Sequence, residues 1–412
     1  MPPSHAPSQR SLLLLPPAPS SPTYAALKAA YNASLLTVLR QLARSPTRTH
    51  EPVLLEIALP CPHLYGHLAS PRAPLYATTQ SLVANLYKLI CVIASKDAID
   101  TEDAGGVDAR IVLVAYPRDG KLLHTPEDAT PEQELRGPAI DLHTLARSPR
   151  AWDTVYSAET EEGTTLLNNF LSLGPSGRNI SKVRGGIVQA DSLPAAEPAE
   201  RVAALTNHFS VAVGGTFDHL HIGHKLLLTM FAFVLGRGSS SLVDQGTSSL
   251  TIGITGDELL KNKKHPDVLE SWACRQEAVH EFLASLLNFG RPDDSRIRIQ
   301  EFNEPGPNGH AIHATFPSNL TVKYAEIMDP FGPTITDEAI SALVISKETR
   351  SGGKAVNDKR EEKGWAPLQV FEVDVLDAGE EEEVDETFQG KLSSTEIRRR
   401  LSERARSTTV HV

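Results

Sequence analysis

The chain has 412 residues, with 40 Lys and Arg against 51 Asp and Glu and a net charge of −11. That length suggests two or three domains with at least one large core, and it excludes a small disulfide-stapled protein. Seven of the excess acids lie in one run, Asp377 to Thr387, so the rest is near neutral and offers no broad basic surface for a nucleic-acid backbone.

The three cysteines, Cys61, Cys91 and Cys274, are too widely spaced for a CxxC pair or a zinc cluster and fit a reducing compartment. Apolar stretches such as Leu226 to Leu235 fall short of the ~20 residues that span a bilayer, and Leu12 to Leu15 is too short for a signal-peptide core. Together these features predict a cytoplasmic protein with no nucleic-acid or membrane partner.

In chain order, residues 1–23 are dominated by Pro, Ser and Ala. Such a composition buries too little apolar surface to offset ordering entropy and predicts a flexible leader. The wider stretch RSLLLLPPAPSSPTYAALKAAYNASLLTVLRQLA also reads as strand, loop and helix. Residues 24–190 read as a smaller α/β domain. EPVLLEIALP and ARIVLVAYP resemble buried strands, and YATTQSLVANLYKLICVIAS repeats its large apolar residues at helical spacing. No convergent catalytic set appears there, which predicts a structural or regulatory role. DSLPAAEPAERVAAL, residues 191–205, reads as a linker.

Residues 206–412 show a cleaner alternation. HFSVAVGG is a strand, HIGHKLLLTMFAFVLG a helix, and SSLTIGITG a second strand, an order that implies a right-handed parallel crossover. SWACRQEAVHEFLASLL follows as a helix, and RIRIQEF, ISALVIS and LQVFEVDVL as the third to fifth strands. The expected fold is a doubly wound, Rossmann-like parallel sheet. Residues 377–390 should form a solvated acidic loop before a last helix that starts near Ser394, and this half should suffice for activity.

The segment VAVGGTFDHLHIGHKLLL, residues 211–228, carries the chemistry. It sits where a buried strand hands over to a helix, the place where open parallel sheets bind anionic ligands. Gly214 and Gly215 allow close backbone approach, and Thr216 offers a hydroxyl and a backbone donor to phosphate oxygens. His221 and His224 are three residues apart on the first helical turn, so both rings can face one bound group, with Gly223 keeping that surface clear. Near the end of the chain, Ser393 and Glu396 form an S-x-x-E capping pattern, and a capped helix start is itself an anion site.

GGTFDHLHIGH resembles the GTFD and HxGH signature of the nucleotidyltransferase superfamily, and KLSSTEIRRRL, residues 391–401, is similar to its SSTxIR motif. The half from 209 to 402 looks like the eukaryotic branch of phosphopantetheine adenylyltransferases, with TGDELLKNKK, DPFGPT and residues 344–364 adding to the likeness. The resemblance implies AMP transfer from ATP to 4′-phosphopantetheine in coenzyme A biosynthesis. Under it, His224 stabilises the transferring phosphate, Thr216 orients the acceptor phosphate, and Lys261 or Lys263 bridges the reacting groups. Gly214, Gly215, Phe217, His221, Gly223, Ser393, Ser394, Thr395 and Arg398 would surround ATP, and Thr349, Asn357 and Arg360 the acceptor. Mg2+ would arrive with ATP, with no protein metal ligands, and assembly with other coenzyme A biosynthetic enzymes fits the same picture.

Two departures stand out. The bacterial enzymes have an arginine-rich turn where this chain has SKETRSGG, and no GxxxxGK[ST] kinase motif is present, which predicts a single reaction step. Rival readings are a nucleotidyltransferase that uses CTP or accepts nicotinamide mononucleotide, a class I aminoacyl-tRNA synthetase, and a non-catalytic scaffold. The absence of a basic anticodon-binding extension disfavours the synthetase. The intact histidine and serine pairs disfavour the scaffold.

Overall fold

A computed structural model describes residues 9–44, 52–101, 106–123, 137–187, 207–236, 247–291, 295–306, 308–376 and 393–409. The expected linker at 191–205 and acidic loop at 377–390 lie outside the described residues.

The N-terminal domain runs β1 (Arg10–Leu14), α1 (Tyr24–Ala43), β2 (Val53–Cys61), α2 (Ala73–Lys96), β3 (Val107–Ala115), β4 (Ala139–Asp141), α3 (Leu142–Arg147), β5 (Thr154–Ala158), α4 (Glu161–Leu173) and β6 (Ile180–Val183). Its six strands lie parallel in the order β4-β3-β2-β1-β5-β6. The expectation of a flexible leader over 1–23 is corrected from residue 9 onward, residues 1–8 lying outside the described ones. Residues 10–14 form an interior strand between β2 and β5, and Leu12 to Leu15 are fully buried. The prolines flank this strand without interrupting its ladder.

The C-terminal domain runs β7 (Ser210–Gly215), α5 (Ile222–Val234), β8 (Ser248–Thr255), α6 (Trp272–Leu287), β9 (Arg298–Asn303), β10 (His310–Phe316), β11 (Leu320–Ile327), β12 (Ala342–Ser346), α7 (Arg350–Glu362), β13 (Gln369–Val373) and α8 (Ser394–Thr409). The α/β class and the two-domain order agree with the sequence reading, but the sheet is mixed. In the order β13-β12-β7-β8-β11-β10-β9, the first five strands are parallel and β10 and β9 are antiparallel additions. The hairpin β10–β11 turns through Asn319 at φ 56°, a left-handed position that suits a three-residue hairpin loop. RIRIQEF therefore lies at the antiparallel edge, not inside a parallel sheet.

One continuous core joins the domains. Leu39, Leu59 and Tyr87 from the first pack with Val211, Phe231, Phe233 and Phe282 from the second, and α2 lies against α5. By length and composition α2 could cross a bilayer, yet most of it is buried in this core. A C-terminal half on its own would expose the apolar surface that α5 shares with α2.

Candidate active site

β7 lies between β12 and β8 and brings Gly214 and Gly215 to the middle of the sheet's carboxyl edge. The chain then turns through two left-handed non-glycine residues, Phe217 (φ 54°) and His219 (φ 47°). A Cβ on Gly215 would stand 3.0 Å from the Phe217 ring, so a side chain there would crowd the turn.

Groups from distant segments hold this unusual turn. The Asp218 side chain is fully buried, accepts the Glu270 N–H at 3.0 Å, and forms an ion pair with Arg398. The Asp218 carbonyl accepts from the Ser394 hydroxyl at 2.8 Å, and the Glu270 carboxylate accepts the His219 N–H at 2.7 Å. Arg275, wholly buried on α6, donates to the carbonyls of Thr216, Thr255 and Glu270 at 2.6, 2.8 and 3.1 Å and to Asp257 at 2.7 Å. Three of these bonds satisfy backbone carbonyls of the turn and its neighbours, and the fourth pairs the guanidinium with a carboxylate.

His221 caps the start of α5 with an extended backbone, and His224 follows in its first turn. The two rings stack at 3.8 Å and 21°. Gly223 makes the stack feasible, because a Cβ there would press on the His221 ring at 3.2 Å. Phe217 closes the other side of His224 at 5.5 Å. Burial, reinforced by His224, Lys225 and His219, holds His221 well below the usual imidazole range. Burial likewise pushes His224 down to about 4, with Asp218 only partly opposing it. Both rings are therefore neutral at pH 7, and the buried Nδ1 atom of each has no protein partner. Such atoms are costly unless a ligand meets them.

The histidines face a cleft of about 370 Å³ that also receives Thr216, Lys263, Thr349 and Ser393 to Thr395. Ser393 accepts the Glu396 N–H at 3.4 Å, so the capping pattern is present at the start of α8 and the helix opens towards the cleft. An adjoining cleft of about 420 Å³ shares Gly214, Gly215 and Thr349 but is walled mainly by apolar groups, among them Ile327, Pro330, Phe331 and Leu343. Leu259 and Met328 at its wall are 50% and 40% exposed, an arrangement that suits an uncharged ligand arm.

Several sequence-derived assignments move. Arg360 is buried and donates to five backbone carbonyls, those of Thr334, Asp337, Glu338, Ile340 and Ala366; it clasps the loop before β12 and lines neither cleft. Asn357 bonds the Leu368 backbone through both ends of its amide and is likewise structural. Lys261 pairs with Glu258 outside both clefts, whereas Lys263 reaches the polar one. Arg398 lines the polar cleft, but its guanidinium is engaged by Asp218, the Lys264 carbonyl and Thr395. Arg350, the arginine of SKETRSGG, pairs with Glu372. Glu270 and Arg275 were missed, and the available signal was a pair of charges around an otherwise apolar helix start.

Residues 212–400 match the family model described as cytidylyltransferase-like. Residues 1–189 match a domain of unknown function. The chain is 32% identical over 258 residues to an uncharacterized protein of Schizosaccharomyces pombe, an alignment covering 62% of this chain and 67% of that one. It is 38% identical over 203 residues to the phosphopantetheine adenylyltransferase of Saccharomyces cerevisiae, covering 49% of this chain and 52% of the yeast protein. It is 30% identical over 166 residues to the phosphopantetheine adenylyltransferase of Thermococcus kodakarensis, covering 40% of this chain and 74% of the archaeal one.

Proposed function

This chain belongs to the cytidylyltransferase-like nucleotidyltransferases and is related to the phosphopantetheine adenylyltransferases, and we propose that it transfers AMP from ATP to 4′-phosphopantetheine. The observation that carries this reading is the two-part cleft meeting at Gly214 and Gly215. One part suits a triphosphate, the other suits a long uncharged arm, and an acceptor phosphate would lie between them.

An oxygen of the acceptor phosphate attacks the α-phosphorus of ATP in line, the bond from that phosphorus to the bridging oxygen breaks, and pyrophosphate leaves with the electron pair. The nucleophile is already an anion, so no base is needed. This agrees with a His224 too acidic to be an effective base at pH 7. What remains for the protein is alignment and charge stabilisation. His224 would donate to the α-phosphate as its charge grows. His221, Ser393, Thr395 and the backbone N–H of Ser394 would hold the outer phosphates, Thr216 and Thr349 would orient the acceptor phosphate, and Lys263 would supply the mobile cation.

Magnesium would enter as part of the nucleotide substrate, held by phosphate oxygens and water. Among the described residues no group of three or more His, Cys, Asp or Glu side chains is arranged for a metal ion.

The test is pyrophosphate release from the full chain with ATP or CTP and with 4′-phosphopantetheine, pantetheine or nicotinamide mononucleotide. Turnover should need ATP and 4′-phosphopantetheine together. Activity with pantetheine, or a preference for CTP or nicotinamide mononucleotide, would overturn the named reaction and leave the family intact.

A further inference from the structure

Lys225, the residue after His224, points away from the cleft and into the N-terminal domain. It is 4% exposed, and its Nζ lies 2.7 Å from Oδ1 of Asp108 at the start of β3. A cation in the first turn of a helix opposes the helix dipole, and a buried one is costly without a counter-charge. Helix stability therefore does not account for Lys225, whereas the carboxylate facing it does. Asp108 is itself fixed by the Arg110 fork at 2.9 and 2.7 Å, and Arg110 goes on to donate to the Glu281 carbonyl of α6 at 3.2 Å. Burial pushes the Asp108 carboxyl up, but Arg110 and Lys225 together pull it below the usual carboxylate range, so it stays charged.

The same domain also reaches the opposite wall. Tyr76 of α2 donates to the Glu372 carbonyl at 3.0 Å, and its ring lies tilted against Phe371 at 4.9 Å. Val373 and Asp374, at the end of β13, line the polar cleft.

We infer that the N-terminal domain is an intramolecular positioning element for the nucleotide site, with Asp108 holding Lys225 and thereby fixing the first turn of α5 that carries the stacked histidines. Asp108 and Lys225 are positioning residues that act through His221 and His224. The effect on rate rests on the adenylyl-transfer reading above; the effect on the histidine pair does not.

The experiment uses the full chain as Lys225→Met, Asp108→Asn and the double variant. Lys225→Met leaves Asp108 paired with Arg110, so folded protein is available even if Asp108→Asn alone melts, and the double variant, which removes one cation and one anion, leaves the net charge of the cluster unchanged. Three quantities are read: cooperative melting, kcat and KM for ATP, and the NMR shifts of the imidazole ring protons, which ring stacking displaces. Each folded single variant should lose stacked-ring shifts and at least ~10-fold in kcat, with KM for ATP within about twofold, since misplacement near the reacting centre costs rate before ground-state affinity. The double variant should lose no more than the worse single one, because the pair acts as a unit. Native histidine shifts in folded Lys225→Met, or losses that multiply in the double variant, would overturn the inference. If wild type turns over none of the acceptors, the adenylyl-transfer reading fails while the histidine shifts still decide this one.

Discussion

Asp218 and Arg398, 180 residues apart in the chain, form a buried ion pair that locks the glycine-rich turn to the last helix. The ammonium of a lysine could not reproduce it, because the same guanidinium also serves the Lys264 carbonyl and Thr395. The two signature motifs are thereby one mechanical unit, and the cleft between them depends on that tie.

Replacing Arg398 by Met should leave the Asp218 carboxylate buried and unpaired. Removing one partner of such a pair costs about 3–5 kcal/mol, so a clear fall in melting temperature is expected, with weaker ATP binding as α8 loses its anchor. Arg398→Lys should recover little of either. Calorimetry with and without ATP checks both, and an unchanged melt would mean that the pair is not formed in solution.

His224→Asn should lower kcat by ~100-fold or more while ATP binding changes little, because a donor aimed at charge that develops during reaction acts on the transition state. His221→Asn should weaken ATP binding more than His224→Asn does. Single-turnover rates beside ATP titration separate the two effects; equal loss of affinity in both variants would count against distinct roles.

Of the two lysines after β8, only Lys263 lines the cleft. Lys263→Met should raise KM and lower kcat by an order of magnitude or more, since a charge-assisted contact to phosphate is lost. Lys261→Met breaks only an exposed pair with Glu258, an interaction with a typical worth of ~0–1 kcal/mol, and should stay close to wild type. Steady-state kinetics on the two proteins side by side provide the check.

Stability should fall as pH drops from about 6.5 towards 4. Burial holds the native His224 at about 4, while an unfolded histidine titrates near 6.5. Between those values the unfolded chain binds a proton that the native one refuses, so stability is full above the upper value and declines to the lower one. The gap corresponds to ~3 kcal/mol, and His221 acts in the same direction. A His224→Gln variant should show a shallower decline in denaturation midpoint over that range; an identical slope would mean that the native ring does take up the proton.

Arg360→Met should destabilise the chain and leave KM for both substrates within about twofold. Its guanidinium satisfies carbonyls of the loop from Thr334 to Ile340, and buried carbonyls left without donors cost about 1–3 kcal/mol each. A changed acceptor KM without loss of melting temperature would return Arg360 to the substrate.

The sequence by itself determined the α/β class, the order of the two domains, and the pair of motifs that line the polar cleft. Those features are local: an apolar strand, two glycines, two histidines one helical turn apart and a helix-capping serine are each written within a few consecutive residues. The tertiary structure decided what the charged side chains do. Arg360 lies on a helix face rich in charges and looks solvated, yet five carbonyls from other segments surround it. Lys225 directly follows His224 in the sequence, yet its partner is Asp108, 117 residues earlier. For the first strand the sequence left two readings, a flexible leader or a strand, for a related reason: its flanking prolines suggest a chain unable to pack by itself, while β2 and β5 supply the ladders and the buried surface from far along the chain. Hydrophobic periodicity records which face of an element is buried; the partner of a buried charge, or of an isolated strand, is set by which distant segments the fold brings beside it.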